Sequence, residues 1–327
     1  MRIGIPRALL FHYYGIFWEY FFKELGHEVV ISPDSNKEIV DIGIKTAVPE
    51  ICVPIKIFLG HLKYLILKEK VDFVFVPRMV SIRKGEIFCP KFMGLPDIVI
   101  NGSPELADKI LTNHIESKTE NVSDFKNYIS LAHKLNVNEE SIKRASRIAN
   151  IKWLEFRKNT LMGLSAKDAS LKVKEKKELK KNKPNNVKIA VMGYVYNVYD
   201  PFLSMNILDK LSDLKVDYIT FEMLDNKTIY KQISHLKKQL FWTFSNKLLG
   251  AGYYSLKNPS CDGLIHLTAF GCGPDSFLGK LFEIESDIRQ KPFMTIRIDE
   301  HTGENHLQTR IEAFVDLLKR KKEKESA

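Results

Sequence analysis

Short β-branched and apolar runs alternate along this chain with longer stretches of helical periodicity, and that alternation restricts the fold more than any other feature. In the first part of the sequence Ile3–Ile5, His27–Ile31, Val71–Val76 and Ile98–Ile100 read as strands. Between them lie helical patterns over residues 9–25 and 36–47, and a third that follows Cys52-Val53-Pro54 as far as Leu67. Repeated strand–helix–strand order predicts a parallel sheet with helices on both faces. Gly26 is placed to end the first helix, and Pro77 to stop the strand before it. The stripe Phe11, Tyr13, Tyr14, Phe17, Trp18, Phe21 and Phe22 reads as the buried face of that first helix.

Residues 123–180 carry no strand signal. Apolar positions such as Ile129, Leu131, Leu135, Ile142, Ile148 and Leu154 give this stretch a helical reading, and the lysine-rich run up to Lys183-Pro184 reads as a linker. The alternation then resumes. Strands are predicted at Val187–Met192, Val216–Phe221, Gly263–Leu267 and Phe293–Ile298, with helices over 201–211, 227–249, 274–288 and 304–321. The predicted fold is α/β, with two Rossmann-like lobes of parallel sheet around a helical middle segment. The lobes fall at residues 1–120 and 185–327, with 121–184 between them. A chain of 327 residues that is 44% hydrophobic is long enough for two such cores. No short-period repeat points to a solenoid.

The formal net charge of +10 raises the question of nucleic acid. Residues 167–183 hold eight lysines against three acids, and residues 319–325 hold five basic residues against two acids, so the rest of the chain carries only +2. Such runs read as solvated linkers or tails. No aromatic residues interleave with them to stack on bases, so no nucleic-acid partner is expected. No stretch approaches the roughly 20 apolar residues of a membrane span. The start, Met1-Arg2-Ile3-Gly4-Ile5-Pro6-Arg7, reads as strand and turn, not as a signal peptide. The expected location is therefore the cytoplasm, with no membrane partner.

Four cysteines are too few for a disulfide framework at this length, and in a reducing compartment such residues more often bind metal or do chemistry. Three share a local pattern: Cys52-Val53-Pro54, Cys89-Pro90 and Cys272-Gly273-Pro274. Proline suits the first turn of a helix, where its missing N–H would find no partner anyway. A cysteine just before such a turn meets unpaired N–H groups and the positive end of the helix dipole, which favour the thiolate. Gly271 and Gly273 flank Cys272 and would let the backbone approach a bulky inorganic group. Cys261 differs, because it stands at the start of a strand, and it reads as a small buried apolar residue. Spacing alone leaves the other three open between buried thiols and a shared site, since they lack the close pairs of structural zinc sites.

Two further features invite chemistry. Gly271-Cys272-Gly273-Pro274-Asp275 begins like a nucleotide loop, but the spacing to Gly279-Lys280 and the presence of Leu281 exclude a P-loop, and Pro274 spoils a dinucleotide fingerprint. Asp299-Glu300-His301, with Glu304 and His306, follows the last strand. It reads as a loop with acids at a helix start, as a proton-donating or supporting group built on His301 or Glu300, or as a mononuclear metal site. Arg7, Arg78, Lys56, Lys91 and His61 lie near the cysteine motifs. They read either as cations for an anionic group or as ordinary surface charge.

The same residues carry a family likeness. Ile3-Gly4-Ile5-Pro6-Arg7-Ala8-Leu9-Leu10, Cys52-Val53-Pro54-Ile55-Lys56 with Gly60-His61, and Phe75-Val76-Pro77-Arg78 are three of its motifs. Phe88-Cys89-Pro90-Lys91-Phe92 with Gly94-Leu95-Pro96-Asp97 and Phe270-Gly271-Cys272-Gly273-Pro274-Asp275 are two more. The last runs are Asp299-Glu300-His301-Thr302-Gly303 and Thr309-Arg310-Ile311-Glu312-Ala313-Phe314. In this order they resemble the acyl-CoA dehydratase activase-related proteins, which are similar to 2-hydroxyacyl-CoA dehydratase subunits and double-cubane cluster proteins. The resemblance implies an iron–sulfur cluster of the 4Fe–4S type held by Cys52, Cys89 and Cys272, with a double cubane as the larger form. It also implies electrons from a separate iron–sulfur ATPase, the activase, an acyl-CoA or other small activated substrate, and a homodimer. The ATPase would come from another chain, because this one carries only the cluster-type module.

Overall fold

The computed structural model describes residues 1–119, 121–176 and 184–326. The lysine-rich linker expected up to Lys183 therefore lies, over residues 177–183, outside the described residues. The chain divides into two compact units, one of residues 1–158 with 240–243 and the other of residues 159–239 with 244–327.

The first unit opens with β1 (Arg2–Ile5), α1 (Phe11–Glu24), β2 (Glu28–Ile31), α2 (Lys37–Thr46), α3 (Val53–Leu67) and β3 (Phe73–Phe75). It continues with β4 (Arg78–Ser81), α4 (Pro90–Met93), α5 (Leu95–Gly102), β5 (Ile110–Leu111), β6 (His114–Glu116), α6 (Ala132–Leu135) and most of α7 (Glu139–Leu161). Its main sheet runs β2-β1-β3-β5, every neighbour parallel. A right-handed strand–helix–strand crossover explains why each parallel neighbour is separated by helix in sequence. The aromatic face of α1 is buried as expected, with Phe17, Phe21 and Phe22 fully enclosed. Gly26 follows the end of α1 at φ +81°, a conformation open to glycine at no cost.

Helices α2 and α3 cross with almost no gap. A Cβ on Gly43 would stand 2.0 Å from the Lys56 carbonyl oxygen, and one on Gly60 would stand 2.0 Å from the Ile39 carbonyl oxygen. Ile98–Ile100, expected as a strand, lies within α5. A three-residue apolar run does not decide between strand and helix; here Pro96 and Asp97 in the first turn favour the helix, which buries Leu95, Pro96 and Val99.

The second unit holds α8 (Ala166–Glu175), β7 (Val187–Met192), α9 (Val195–Tyr199), α10 (Pro201–Ser204), α11 (Ile207–Asp213), β8 (Val216–Ile219) and α12 (Asn226–Ile233). It ends with α13 (Thr243–Lys257), β9 (Gly263–Ala269), α14 (Gly273–Arg289), β10 (Phe293–Ile298) and α15 (Glu304–Ser326). Its parallel sheet runs β10-β9-β7-β8. The helix expected over 201–211 is split by Met205 and Asn206, both in the left-handed region at φ 47° and 55°. The one expected over 227–249 is split because residues 240–243 leave to join the first unit. There Ile87 N–H bonds the Phe241 carbonyl at 2.8 Å and Thr243 N–H bonds the Ile87 carbonyl at 3.0 Å.

Numbered by order of appearance within its own sheet, each four-stranded sheet has the strand order 2-1-3-4. In such an open sheet the loops after strands 1 and 3 diverge, and the crevice at their carboxyl ends is the usual binding position. The switch points are β1/β3 in the first unit and β7/β9 in the second.

The basic run from Lys319 is not a loose tail. It forms the last turns of α15, where Lys319 Nζ bonds the Leu214 carbonyl at 3.2 Å and Lys321 Nζ the Gln290 carbonyl at 3.1 Å. Lys322 Nζ reaches the Asn186 carbonyl and both Asp262 carboxylate oxygens, the latter at 3.0 Å. Those residues immediately precede β7, β8, β9 and β10, so α15 laces the amino edge of the sheet.

Candidate functional site

In the first unit two cysteines start helices. Cys52 precedes α3 with extended backbone (φ −64°, ψ 148°), Cys89 precedes α4, and each helix has proline in its first turn. Neither side chain caps its helix with a hydrogen bond, so both thiols are left to other partners. Both are half-buried and neither is in a disulfide. Burial pushes the Cys89 thiol up; the Lys91 backbone N–H pulls it back, a nearby Cys52 raises it again, and the Lys91 charge and Phe92 N–H lower it. Cys52 thus lies close enough for its charge to act on Cys89, and helix-start amides favour the Cys89 thiolate.

The position of Cys52 follows from α3 itself. His61 bonds Ser32 Oγ through Nδ1 and Ser35 Oγ through Nε2, each at 2.8 Å, in the loop just beyond β2. Cys52 lies nine residues earlier on the same helix, which places it roughly 13 Å further out along the axis at the carboxyl side of the sheet.

The basic residues near these motifs have definite partners. Arg78, at the start of β4, forms a two-pronged pair with Asp97 at 2.7 and 2.9 Å and donates to the Met93 carbonyl at 2.6 Å. It therefore ties the end of α4 and the start of α5 to the strand, and so holds the short helix that Cys89 begins. Arg7 donates to the Ser32 carbonyl and to Asp34 at 3.0 and 2.9 Å. His61 is not a cation: burial first, then the charges of His12 and Arg7, lower its pKa to about 3. His12 is lowered to about 3 as well, by burial and Arg7 against the opposing pull of Asp34. Lys56 is buried in α3, whereas Lys91 acts directly on Cys89. An apolar cavity of about 20 Å³, lined in part by Pro6, Phe58, Pro77 and Phe92, lies at this edge. That is room for about one water, so it is packed floor and not a ligand pocket.

In the second unit Cys272 begins α14 at the carboxyl end of β9. Phe270 N–H bonds the Ile298 carbonyl at 2.8 Å, extending the pairing of β9 with β10 by one residue. Gly271 then turns the chain at φ +74°, a conformation that resists a side chain. Cys272 follows as the N-cap, with Gly273 and Pro274 in the first turn and no cap bond from the thiol. A Cβ on Gly273 would meet nothing within 4 Å, so that side of the turn is open. Cys272 is half-buried and stands at the β7/β9 switch point of its own unit.

Glu300 and His301 lie in the loop after β10, which leaves the same edge of this sheet as Cys272. The Asp299 carboxylate accepts from His301 N–H at 2.9 Å and from the Thr302 hydroxyl at 2.8 Å. Those bonds, the hydroxyl first, hold it below the usual carboxylate range. The His301 side chain is exposed. Cys261 is 2% exposed at the amino end of β9, with its thiol on the Gly263 carbonyl at 3.4 Å and burial pushing its pKa up.

The structure thus brings Cys52 and Cys89 together in one unit and sets Cys272, Gly271, Gly273, Glu300 and His301 at one sheet edge of the other. Among the described residues no group of three or more His, Cys, Asp or Glu side chains is gathered as for a metal ion. No helix among them is long and apolar enough to cross a membrane. One pair escaped the sequence reading. His266 in β9 and Asp275 in α14 are both buried and bonded at 2.8 Å. The available signal was a lone histidine inside the apolar strand Gly263–Ala269, nine residues before an acid in a helix's first turn.

Comparison with known proteins gives one family. The model described as "CoA enzyme activase uncharacterised domain" matches residues 2–224. No curated protein matches. Among solved structures, the SBP FpvC from Pseudomonas aeruginosa in complex with Mn2+ is 11% identical, covering 98% of this chain and 99% of its own at a TM-score of 0.29. A FpvC mutant from the same organism is 13% identical, covering 91% and 89%, with a TM-score of 0.26. Likenesses this low carry no functional inference.

Proposed function

This chain belongs to the CoA enzyme activase uncharacterised-domain family, and from that premise we propose that it is an iron–sulfur protein of the 2-hydroxyacyl-CoA dehydratase type. Its partner would be an iron–sulfur ATPase on another chain. When bound, a 4Fe–4S-type cluster would supply low-potential electrons for reductive dehydration or reduction of a small activated acid such as an acyl-CoA. The observation that carries this reading is the shared form of Cys52, Cys89 and Cys272. Each is an N-cap with proline in the following turn, half-buried, and uncommitted to capping its own helix.

The donor chemistry fits. A thiolate ligand needs N–H donors and partial shielding from water, and Cys89 has both in the Lys91 and Phe92 amides. Gly271 and Gly273 keep bulk away from Cys272. Glu300 and His301, at the same sheet edge as Cys272, are the groups proposed to hold or move a proton. Arg78 orients α4, and Lys91 favours the charged form of Cys89.

A second reading is a partner of the activase that binds no metal and performs no chemistry. It shares the family match over residues 2–224. Iron and acid-labile sulfide, measured after anaerobic purification, separate the two readings. On the cluster reading both are present in near-equal amounts, lost in Cys52→Ser, Cys89→Ser and Cys272→Ser, and kept in Cys261→Ser. Absence of iron after strictly anaerobic reconstitution, or a loss with Cys261→Ser as large as the others, would overturn it. Zinc at one per chain would replace it with a structural metal.

A further inference from the structure

Cys272 leaves the cap position of α14 without a side-chain acceptor. A helix start normally gains about 1 kcal/mol from a Ser, Thr, Asp or Asn cap, and this one forgoes it. Something else must fix the first turn, and the structure shows what does. Asp275, the third residue of α14, turns inward and meets His266 of β9, Oδ1 to Nε2 at 2.8 Å. Both side chains are sealed from solvent, at 0% and 1% exposure. Gly279, one turn along, lets the helix lie close to the strand: a Cβ there would stand 3.2 Å from His266 Nδ1. The Phe282 ring packs edge-on against the imidazole at 5.4 Å. Phe282 in turn occupies space left by Gly252, where a Cβ would fall 2.2 Å from it.

Two polar groups in such a place are costly. Asp275 Oδ2 and His266 Nδ1 find no protein partner, so their desolvation is only half offset. An apolar pair of similar volume would hold helix to strand at least as firmly. What an apolar pair lacks is direction. The imidazole–carboxylate bond fixes the rotation of α14 about its axis, and with it the placement of Cys272 at the start of that helix.

From this geometry we infer that His266 and Asp275 are positioning residues for Cys272. They form a buried clamp that sets the first turn of α14 and hence the placement of the thiol at its start. The inference rests on reading Cys272 as a working thiol, but its test needs no bound cluster and is separate from the iron assay.

The test uses the full chain in His266→Phe, which keeps the packing and loses the bond, and His266→Gln, which restores a donor near Nε2. Two quantities are read. One is amide hydrogen exchange at Ser276, whose N–H bonds the Cys272 carbonyl at 3.0 Å, and at Phe277. The other is the alkylation rate of Cys272 at neutral pH, relative to Cys89 in the same sample. Cys272 is already half-exposed, so the rate reports how the helix start presents the thiol and not whether reagent can reach it. In His266→Phe, exchange in the first turn rises about tenfold and the relative alkylation rate falls about threefold; in His266→Gln both return close to the parent. Should His266→Phe fail to fold, Asp275→Leu reads the same bond from the helix side with the same expected changes. Parent values in His266→Phe or in Asp275→Leu, or equal effects of Phe and Gln at 266, would overturn the inference.

Discussion

At the scale of residues, two histidines, His61 fully buried and His12 partly so, tie this protein's stability to pH. His12 and His61 have pKa values lowered to about 3 from an ordinary 6.5, chiefly by burial. Between those values the unfolded chain binds protons that the folded chain refuses, so stability is fully present above about pH 6.5 and is lost as pH falls towards 3. Each histidine should contribute a slope of about 1.4 kcal/mol per pH unit over that range. Denaturant melts between pH 7 and 4 should show the decline, and His12→Gln should remove about half of it; a flat profile would show that these rings accept protons in place. His61 also shows where the sequence misleads. A histidine beside a cysteine motif reads as a candidate cation, yet enclosure between Ser32 and Ser35 makes it a neutral bridge between the loop after β2 and the middle of α3.

At the scale of elements, the pairing of α2 with α3 determines where Cys52 stands. Gly43 and Gly60 face opposing backbone carbonyls with no room for a methyl group. Gly43→Ala or Gly60→Ala must push the helices apart, costing about 1–3 kcal/mol or more. Calorimetry should show the loss, and unchanged melting in both would mean that the helices separate freely. On the proposed cluster reading, iron content should fall with Gly43→Ala as well, because α3 carries Cys52 at its start. At this scale the sequence was informative where periodicity was long. Asn36 bonds Ile39 N–H as a cap should, and Phe11–Glu24, Val53–Leu67 and Gly273–Arg289 appear close to their expected bounds. It failed at Ile98–Ile100, where a short apolar run serves either period, and at Lys227–Leu249, where residues 240–243 pair with Ile87, a partner more than 150 positions away.

At the scale of the whole molecule, two units repeat one strand order. In the second unit Cys272, Glu300 and His301 occupy the carboxyl edge, whereas the lysines of α15 bond the loops at the amino edge. On the proposed cluster reading, stability and iron binding should therefore separate. Replacing Lys319, Lys321 and Lys322 together by Met should lower stability by about 1–3 kcal/mol through the lost bonds to Leu214, Gln290 and Asp262. Urea titration reads that loss, while iron content per folded chain should be unchanged. An equal fall in iron would mean that the two edges are not independent.

The sequence by itself determined the fold class, the helices that Cys52 and Cys272 begin, and the separate character of Cys261. Those properties are local, because a proline after a thiol and an alternation of periods act within a few residues. Only the tertiary structure decided which thiols share a unit, that the basic run at Lys319 is a lace and not a tail, and that His266 meets Asp275. Those depend on strand order and helix rotation, which are set by burial summed over many distant contacts and leave no mark at any one position of the chain.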